Sequence, residues 1–421
     1  MSAFTADAAA LLPGPDWLRA RRAVAAARFT STPLPTDAEE VWRYSRIAEL
    51  DLDRYALPPA DADGVVGVPE ALAPAVAAAG AAGVLVVRNG RVVHRELDPA
   101  LADRGVVLGS IDDAADGEDL YGAAQGDDDA FTALNEAFAA EVALVRVPAG
   151  VVVERPLLVL EWVDGDGLAV PTRTVVHLEE RAEATVCGIA ASSDVTALVV
   201  PVVELQVADA AHLKHLAVQD LGQQVWQIAY AVSRVGRDAT LTSANVVLGG
   251  DYARVRTDSR LAGQGGVANL LAVYFGDGGQ MHDFRTLQDH DAPRTTSDLL
   301  FKGAVEDQAQ SVYSGLIRVR KGAAGTSAFQ TNRNLVLSEG AHASSVPNLE
   351  IEENDVRCSH ASAVGPIDED QRYYLESRGV PPEVAERLIV LGFFDEILDR
   401  TPVPGLRDLL RVAVAAKLGA A

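Results

Sequence analysis

Short strands with apolar residues at alternate positions dominate the middle of the chain. The period of the apolar positions changes from about 3.6 residues to about 2 within residues 144–160, LVRVPAGVVVERPLLVL, and short segments broken by Gly, Asp and Asn then continue to Val356. Because successive side chains of a strand point to opposite faces, this alternation is typical of strands with one buried face. The pattern therefore predicts a β-rich core.

A faint repeat runs through this core. A small residue at a turn precedes an alternating strand at Ala182, Ala211, Ala239 and Val267, and these positions recur at nearly regular intervals. Repeats of roughly this length are typical of stacked coils, so we predict a parallel, right-handed β-helix or solenoid, with a β-sandwich as the alternative. Coils cannot bury their apolar faces alone, so we expect helices or a partner to cover both ends. An uncovered end would offer free strand edges for pairing with another chain.

Helical patterns flank the core on both sides. Residues 15–29 carry apolar residues at helical spacing, and residues 56–82, rich in Pro, Ala, Asp and Gly, indicate a linker. Two β-branched runs in residues 83–97 flank an Asn-Gly pair, which predicts a hairpin with a type I′ turn. Beyond Gly365 the pattern is helical again, and Gly379 and Pro382 mark the boundary between two predicted helices.

The predicted organisation is mainly β with helical ends. Its four parts are an N-terminal helical region and linker (1–82), a small α/β segment (83–145), the β-helix core (146–356) and a C-terminal helical, partner-binding domain (357–421). The apolar residues of that last part exceed what a short helical cap needs, which fits either a protein-binding face or internal packing.

Charge and composition narrow the classes of function. The chain has 421 residues, 36 basic against 60 acidic side chains and a formal net charge of −24. Nucleic acids and anionic membranes bind basic surfaces, so neither is expected as a partner. We see no signal peptide and no apolar run long enough to span a bilayer, and the two cysteines lie far apart, which predicts a protein of the reducing cytoplasm.

The strongest candidate chemistry lies at Cys358 and His360, where the β pattern ends. Two residues apart on an extended segment, a thiol and an imidazole share one face. A soft thiolate with an imidazole suits iron, zinc or an iron–sulfur cluster, although Cys358 fits a small buried residue equally well. Cys187 lies in a strand pattern and is expected to be core.

Other histidines carry weaker signals. His212 and His215 are three apart, and on a strand such residues face opposite ways, so a metal pair is not favoured. His282 and His290 have acidic neighbours, and we expect His290 and, downstream, Lys302 to be structural turn residues. The chain has no P-loop, GxGxxG, HExxH or GxSxG motif, so we find no means of nucleotide hydrolysis in it.

The segment NLVLSEGAHASSVPNLEIEENDVRCSHASAVGPID, continuing through DEDQRYYLESRGVPPEVAERLIVLGFFDEIL, resembles the C-terminal signature of the SufB/SufD iron–sulfur cluster assembly proteins. The two cysteines and the N-terminal stretch around WRYS resemble the SufD branch. The resemblance implies a scaffold subunit rather than an enzyme. His360, and Cys358 with it, would contribute to a transient iron–sulfur cluster or iron site shared with SufB.

The resemblance also implies two partners. One is a SufB-like paralogue, joined through solenoid edges, and the other is a SufC-like ATPase that supplies ATP hydrolysis. Docking of the ATPase would use the C-terminal helices, at Tyr373, Tyr374, Leu388, Phe393 and Phe394. Two alternatives remain: a β-solenoid enzyme acting on a carbohydrate or acyl substrate, and a homodimeric scaffold that stands alone.

Overall fold

The structure is a computed structural model of the chain and describes residues 3–59, 67–124 and 129–418. Its helices are α1 (Ala6–Ala10), α2 (Asp16–Ser31), α3 (Ala73–Ala79), α4 (Pro99–Ala102), α5 (Gly117–Leu120), α6 (Ala130–Phe138), α7 (Glu369–Ser377), α8 (Pro382–Leu398) and α9 (Arg407–Lys417). Its strands are β1 (Gly83–Arg88), β2 (Arg91–Leu97), β3 (Val107–Ser110), β4 (Val142–Val147), β5 (Leu157–Val163), β6 (Leu168–Leu178), β7 (Glu183–Ser192), β8 (Ala197–Val207), β9 (His212–Asp220), β10 (Val225–Val235), β11 (Thr240–Val247), β12 (Tyr252–Leu261), β13 (Val267–Gly276), β14 (Met281–His290), β15 (Thr296–Val305), β16 (Gln310–Val319), β17 (Thr326–Val336), β18 (His342–Ile351) and β19 (Val356–Gly365).

The strands form two long sheets, and successive strands alternate between them. Sheet I has the order β19-β17-β15-β13-β11-β9-β7-β5-β1-β2, and sheet II the order β18-β16-β14-β12-β10-β8-β6-β4-β3. Each coil adds one parallel strand to each sheet, which makes a β-solenoid of about eight turns. The predicted solenoid is confirmed.

Strand pairing corrects the register of the sequence repeat at one position. Ala182, Ala211 and Ala239 do occupy equivalent places, because the residues that follow them pair along sheet I. Thr240 pairs with Val267, however, so the equivalent of Ala239 is Gly266, one position earlier than the repeat pattern indicated. The sequence pattern missed this because the turn there contains consecutive glycines.

Inward side chains fill the solenoid with two different kinds of core. The N-terminal coils hold aliphatic residues such as Val176, Leu205 and Leu213. Farther along, aromatic rings take over, and Phe284 packs on Phe301 with ring centroids 5.8 Å apart. Valine, leucine and aromatic residues suit this pleated, buried surface, which explains why the alternating pattern forms strands.

The helical parts cover the two faces of the solenoid, whereas we expected them to cover its ends. The N-terminal helices and α6 pack on the outer face of sheet II, with Trp42 and Phe138 buried among its side chains. Helices α8 and α9 pack on the outer face of sheet I, where Phe394 lies 6.2 Å from Phe275 between ring centroids. Among the described residues, this arrangement leaves the last coil, β18 and β19, without helical cover over its end.

The boundary of the C-terminal helical domain lies later than predicted. Residues 356–365 form β19, a full strand of sheet I, and helix begins only at Glu369, where the Asp368 carboxylate accepts hydrogen bonds from the N–H groups of residues 370 and 371. Cys358 and His360 therefore belong to the solenoid and not to the helical domain. The CSH segment is polar, and its alternation was too weak to predict a strand.

The predicted hairpin and part of the predicted linker can be compared with the structure. Strands β1 and β2 pair antiparallel, and Asn89 and Gly90 have the positive φ angles of 46° and 82° that a type I′ turn requires. Of the linker, residues 60–66 lie outside the described residues, and residues 73–79 form α3.

Candidate functional site

The last coil forms the open end of the solenoid. Within the described residues, β18 pairs only with β16 and β19 only with β17, so each strand has one free edge. The N–H and C=O groups along these edges can pair with another chain. Val346, Leu349 and Ile351 of β18 are exposed by 41%, 38% and 43%, an unusual number of accessible apolar side chains for one strand.

Cys358 and His360 lie on the inward face of β19. They pair with Ala328 and Gln330 of β17, whose side chains point into the solenoid. Cys358 is half-buried against Ala328 and Ile317, whereas His360 is exposed because no further coil of the described chain covers it. The structure therefore places both predicted residues on one face at the open end.

The two groups are chemically different in this environment. Partial burial raises the pKa of the Cys358 thiol above its usual range, so the sulfur is protonated near neutral pH. His360 is accessible and can offer a ring nitrogen to iron directly. Among the described residues, no three His, Cys, Asp or Glu side chains gather into a set that could hold a metal ion.

A polar layer lies directly beneath this face, and sequence reasoning missed it. Gln330, Asn332 and Asn334 alternate along β17 and are each at most 3% exposed. Asn332 Nδ2 donates to the hydroxyl of Tyr274 at 2.9 Å, and that hydroxyl donates to Asn334 Oδ1 at 2.6 Å. The signal was present in the sequence, since three amides at alternate positions of a strand predicted to be buried are unusual.

The predicted partner-binding residues divide into exposed and buried groups. Tyr373, Tyr374 and Leu388 are exposed by 73%, 57% and 46%. Tyr374 and Leu388 line a groove of about 830 Å³ between α7 and α8, whereas Tyr373 lies outside its lining. Phe393 is half-buried, but Phe394 is fully buried against sheet I and so does not belong to the exposed face. Phe394 lies on the side of α8 that packs on the solenoid, and the groove runs along a different side of this helix.

Lys302 joins α8 to the solenoid. It lies on β15 and not in a turn, and its Nζ donates to the carbonyl of Phe393 at 2.7 Å and to Glu396 Oε2 at 2.5 Å. The ammonium group also lies 4.5 Å from the centroid of the Phe393 ring. These contacts hold the C-terminal half of α8, which carries the half-buried Phe393, on sheet I.

His215, His290 and Cys187 have buried, structural environments. His215 is buried and His212 is exposed, on opposite faces of β9. The buried ring of His290 bonds Thr295 and Ser297 at 2.8 Å each. Burial raises the pKa of the Cys187 thiol to about 12, which fits the predicted core role.

Comparison with known proteins gives the class. Residues 162–393 match the family model described as SUF system FeS cluster assembly, SufBD core domain, and residues 11–159 match the SufBD protein N-terminal region. The solenoid and its flanking segments are thus those of an iron–sulfur cluster assembly protein. No helix among the described residues is long and apolar enough to cross a bilayer.

Individual relatives agree with this class. An iron–sulfur cluster assembly SufBD family protein of Mycobacterium tuberculosis is 38% identical over 303 residues, which cover 69% of this chain and 73% of the relative. The iron–sulfur cluster assembly protein SufD of Escherichia coli is 30% identical over 400 residues, 92% of this chain and 90% of the relative. SufD of Bacillus subtilis is 29% identical over 343 residues, 79% and 78% of the two chains. The chain belongs to the SufBD family.

Proposed function

We propose that this chain is a SufD-like scaffold subunit, and that it contributes His360 and Cys358 to a cluster-building site shared with a SufB-like paralogue. The observation that carries the proposal is the open last coil, where both side chains lie on the inward face beside two strand edges that are free within the described residues. Family membership and the SufD relatives favour a scaffold over a carbohydrate or acyl enzyme.

The number of ligands supports a shared site. A cluster is normally held by about four ligands, and the inward face of β19 offers one thiol and one imidazole. The cluster is the cargo of the assembly, and the remaining ligands come from the partner. With only two such side chains on this face, the chain alone is expected to hold a cluster transiently.

The free edges support pairing with another solenoid. A strand of the partner added to β18 or β19 would satisfy the exposed backbone groups and cover the apolar side chains of β18, including Leu349 and Ile351. A second copy of this chain would satisfy the same edges, so a homodimer is expected when the paralogue is absent.

A SufC-like ATPase would dock on the groove between α7 and α8. Tyr374 and Leu388, which line this groove, are exposed, and the exposed Tyr373 is next to Tyr374 on α7. Since the sequence contains no P-loop, ATP hydrolysis for the assembly is assigned to this partner.

The test is cluster reconstitution on the co-expressed complex with the SufB-like and SufC-like proteins. We expect His360→Ala to assemble into the complex and to lose most of its iron and visible absorbance, while Cys358→Ser loses part. His342→Ala is the matched control, because His342 is also exposed on the last coil but lies on the other strand. Normal cluster content in an intact His360→Ala complex would contradict the shared site, and a chain that stays monomeric beside both proteins would contradict the pairing.

A further inference from the structure

Gln330 is buried next to His360 with its amide unpaired. It lies on β17, in register with His360 on β19, and is 1% exposed. Within the part of the chain that the structure describes, neither Nε2 nor Oε1 has a hydrogen-bond partner. Leaving a buried donor or acceptor unpaired is destabilising, so a buried amide with both groups unpaired points to a partner that the described interior does not supply.

A glycine on the facing strand makes the space for this amide. A Cβ on Gly315 would lie 2.6 Å from Gln330 Nε2 and would overlap the Tyr313 hydroxyl, so any larger residue would displace both. The Tyr313 hydroxyl shares a hydrogen bond with Thr286 Oγ1 at 3.0 Å, and among the described residues none joins it to Gln330. Gln330 is therefore held by its neighbours while its amide remains available to the coil above.

The coil above Gln330 carries His360, which is in register with it. Paired residues of neighbouring parallel strands lie about 4.8 Å apart and point to the same face. An imidazole that binds a metal through one nitrogen commonly donates the N–H of the other to a carbonyl oxygen, which fixes its tautomer and its orientation. Gln330 Oε1 is such an oxygen, and among the described residues it is unpaired.

We propose that Gln330 is a positioning residue for His360. Its amide oxygen accepts the hydrogen bond of one ring N–H when the ring turns inward, which leaves the other ring nitrogen unprotonated and directed to the open end. The proposal rests on the proposed function of His360, since only a ligand role requires one nitrogen to be kept free.

The test reads the tautomer of His360 in the isolated full-length chain. Long-range ¹H–¹⁵N spectra of histidine-labelled protein near pH 8 report the tautomer of each of the eight histidines, and His360→Ala assigns the signal. We expect one tautomer to dominate in the wild type and in Gln330→Glu, which keeps the acceptor. In Gln330→Met, which keeps the length of the side chain and removes the acceptor, the ratio moves to that of a free imidazole.

Gln288→Met is the matched control. Gln288 is also a buried inward glutamine with an Oε1 unpaired within the described residues, but it lies on β14 and its Nε2 donates to Ser297 at 2.6 Å. We expect this variant to leave the His360 signal unchanged. An equal tautomer ratio in the wild type and in folded Gln330→Met, or an equal change in both Met variants, would overturn the proposal.

Cluster reconstitution on the complex separates this proposal from the proposed function. We expect Gln330→Met to weaken iron retention roughly 10- to 100-fold, the effect usual for the partner of a ligating histidine. If the tautomer depends on Gln330 but His360→Ala builds cluster normally, the contact stands and the shared site fails. If His360→Ala loses cluster while the tautomer is insensitive to Gln330, the shared site stands and Gln330 is not its positioning residue.

Discussion

Glu161 should make the stability of the folded chain fall as pH rises through neutrality. Its carboxyl points inward from β5 and lines a cavity of about 100 Å³, with the hydroxyl of Thr172 donating a hydrogen bond at 3.1 Å. Among the described residues that line this cavity there is no lysine or arginine. Burial therefore raises the pKa of Glu161 from 4.5 to about 7.

The size of the effect follows from the two pKa values. A pKa that is higher in the folded state means that the contribution of the group to stability is complete below the unfolded value, here 4.5, and is lost as pH rises through about 7. At about 1.36 kcal/mol per unit, the loss between about pH 5 and about pH 8 is about 2.5 kcal/mol. Glu161→Gln keeps the shape and cannot ionise, so it should avoid this loss.

Urea unfolding of wild type and Glu161→Gln at several pH values measures the difference directly. The variant should exceed the wild type in free energy of unfolding by an amount that grows by about 2.5 kcal/mol from about pH 5 to about pH 8. Glu154→Gln, at an exposed carboxyl, controls for the change in net charge and should show no such trend. A difference between Glu161→Gln and wild type that is constant across this range would refute the argument.

Two further predictions concern packing. Gly315→Ala should lower the free energy of unfolding by about 1–3 kcal/mol, because its Cβ would overlap a buried tyrosine hydroxyl. Gly188→Ala lies at an inward position of β7 with no described atom within 4 Å of the new Cβ, so it should be neutral or stabilise the fold by up to about 1 kcal/mol. Urea unfolding of the two glycine variants and the wild type compares their free energies of unfolding. Lys302→Met should speed amide hydrogen exchange in the second half of α8 by removing the bond to the Phe393 carbonyl, at a cost of about 1–2 kcal/mol. The exposed Lys321→Met should leave that exchange unchanged, and equal protection of α8 in wild type and Lys302→Met would contradict the role of this contact.

The sequence predicted the solenoid because its physical basis is local. Alternation and a nearly regular spacing of turns both follow from one strand-and-turn unit that recurs, so neither depends on distant contacts. The strand β19 was not predicted, because its inward residues lack cover from a further coil of the described chain and can be polar. Cys358 and His360 share one face of β19, as residues two apart do on any extended segment, so this placement needs no distant contact.

Contacts between distant segments could not be predicted in the same way. Gln330 and His360 belong to different coils, and only the register of β17 on β19 brings them together. Phe394 was placed on the partner face because adjacent phenylalanines of a helix do not reveal which one packs inward. Which of the two is buried depends on the contact of α8 with sheet I, and the sequence does not show which face of that sheet the helix covers.

Unequal coil length has a consequence for how this chain tolerates insertions and deletions. Along sheet I the interval between paired positions is shortest from Thr240 to Val267 and longest from Thr296 to Ser327, yet pairing from β5 to β19 runs without a shift in register. The corners therefore absorb every change in length, and the strands absorb none. One residue added or lost in β19 ahead of Cys358 would exchange odd for even positions and turn Ser359 inward in place of Cys358 and His360. Cys358 and His360 therefore keep their inward positions as long as insertions and deletions fall only at the corners between strands.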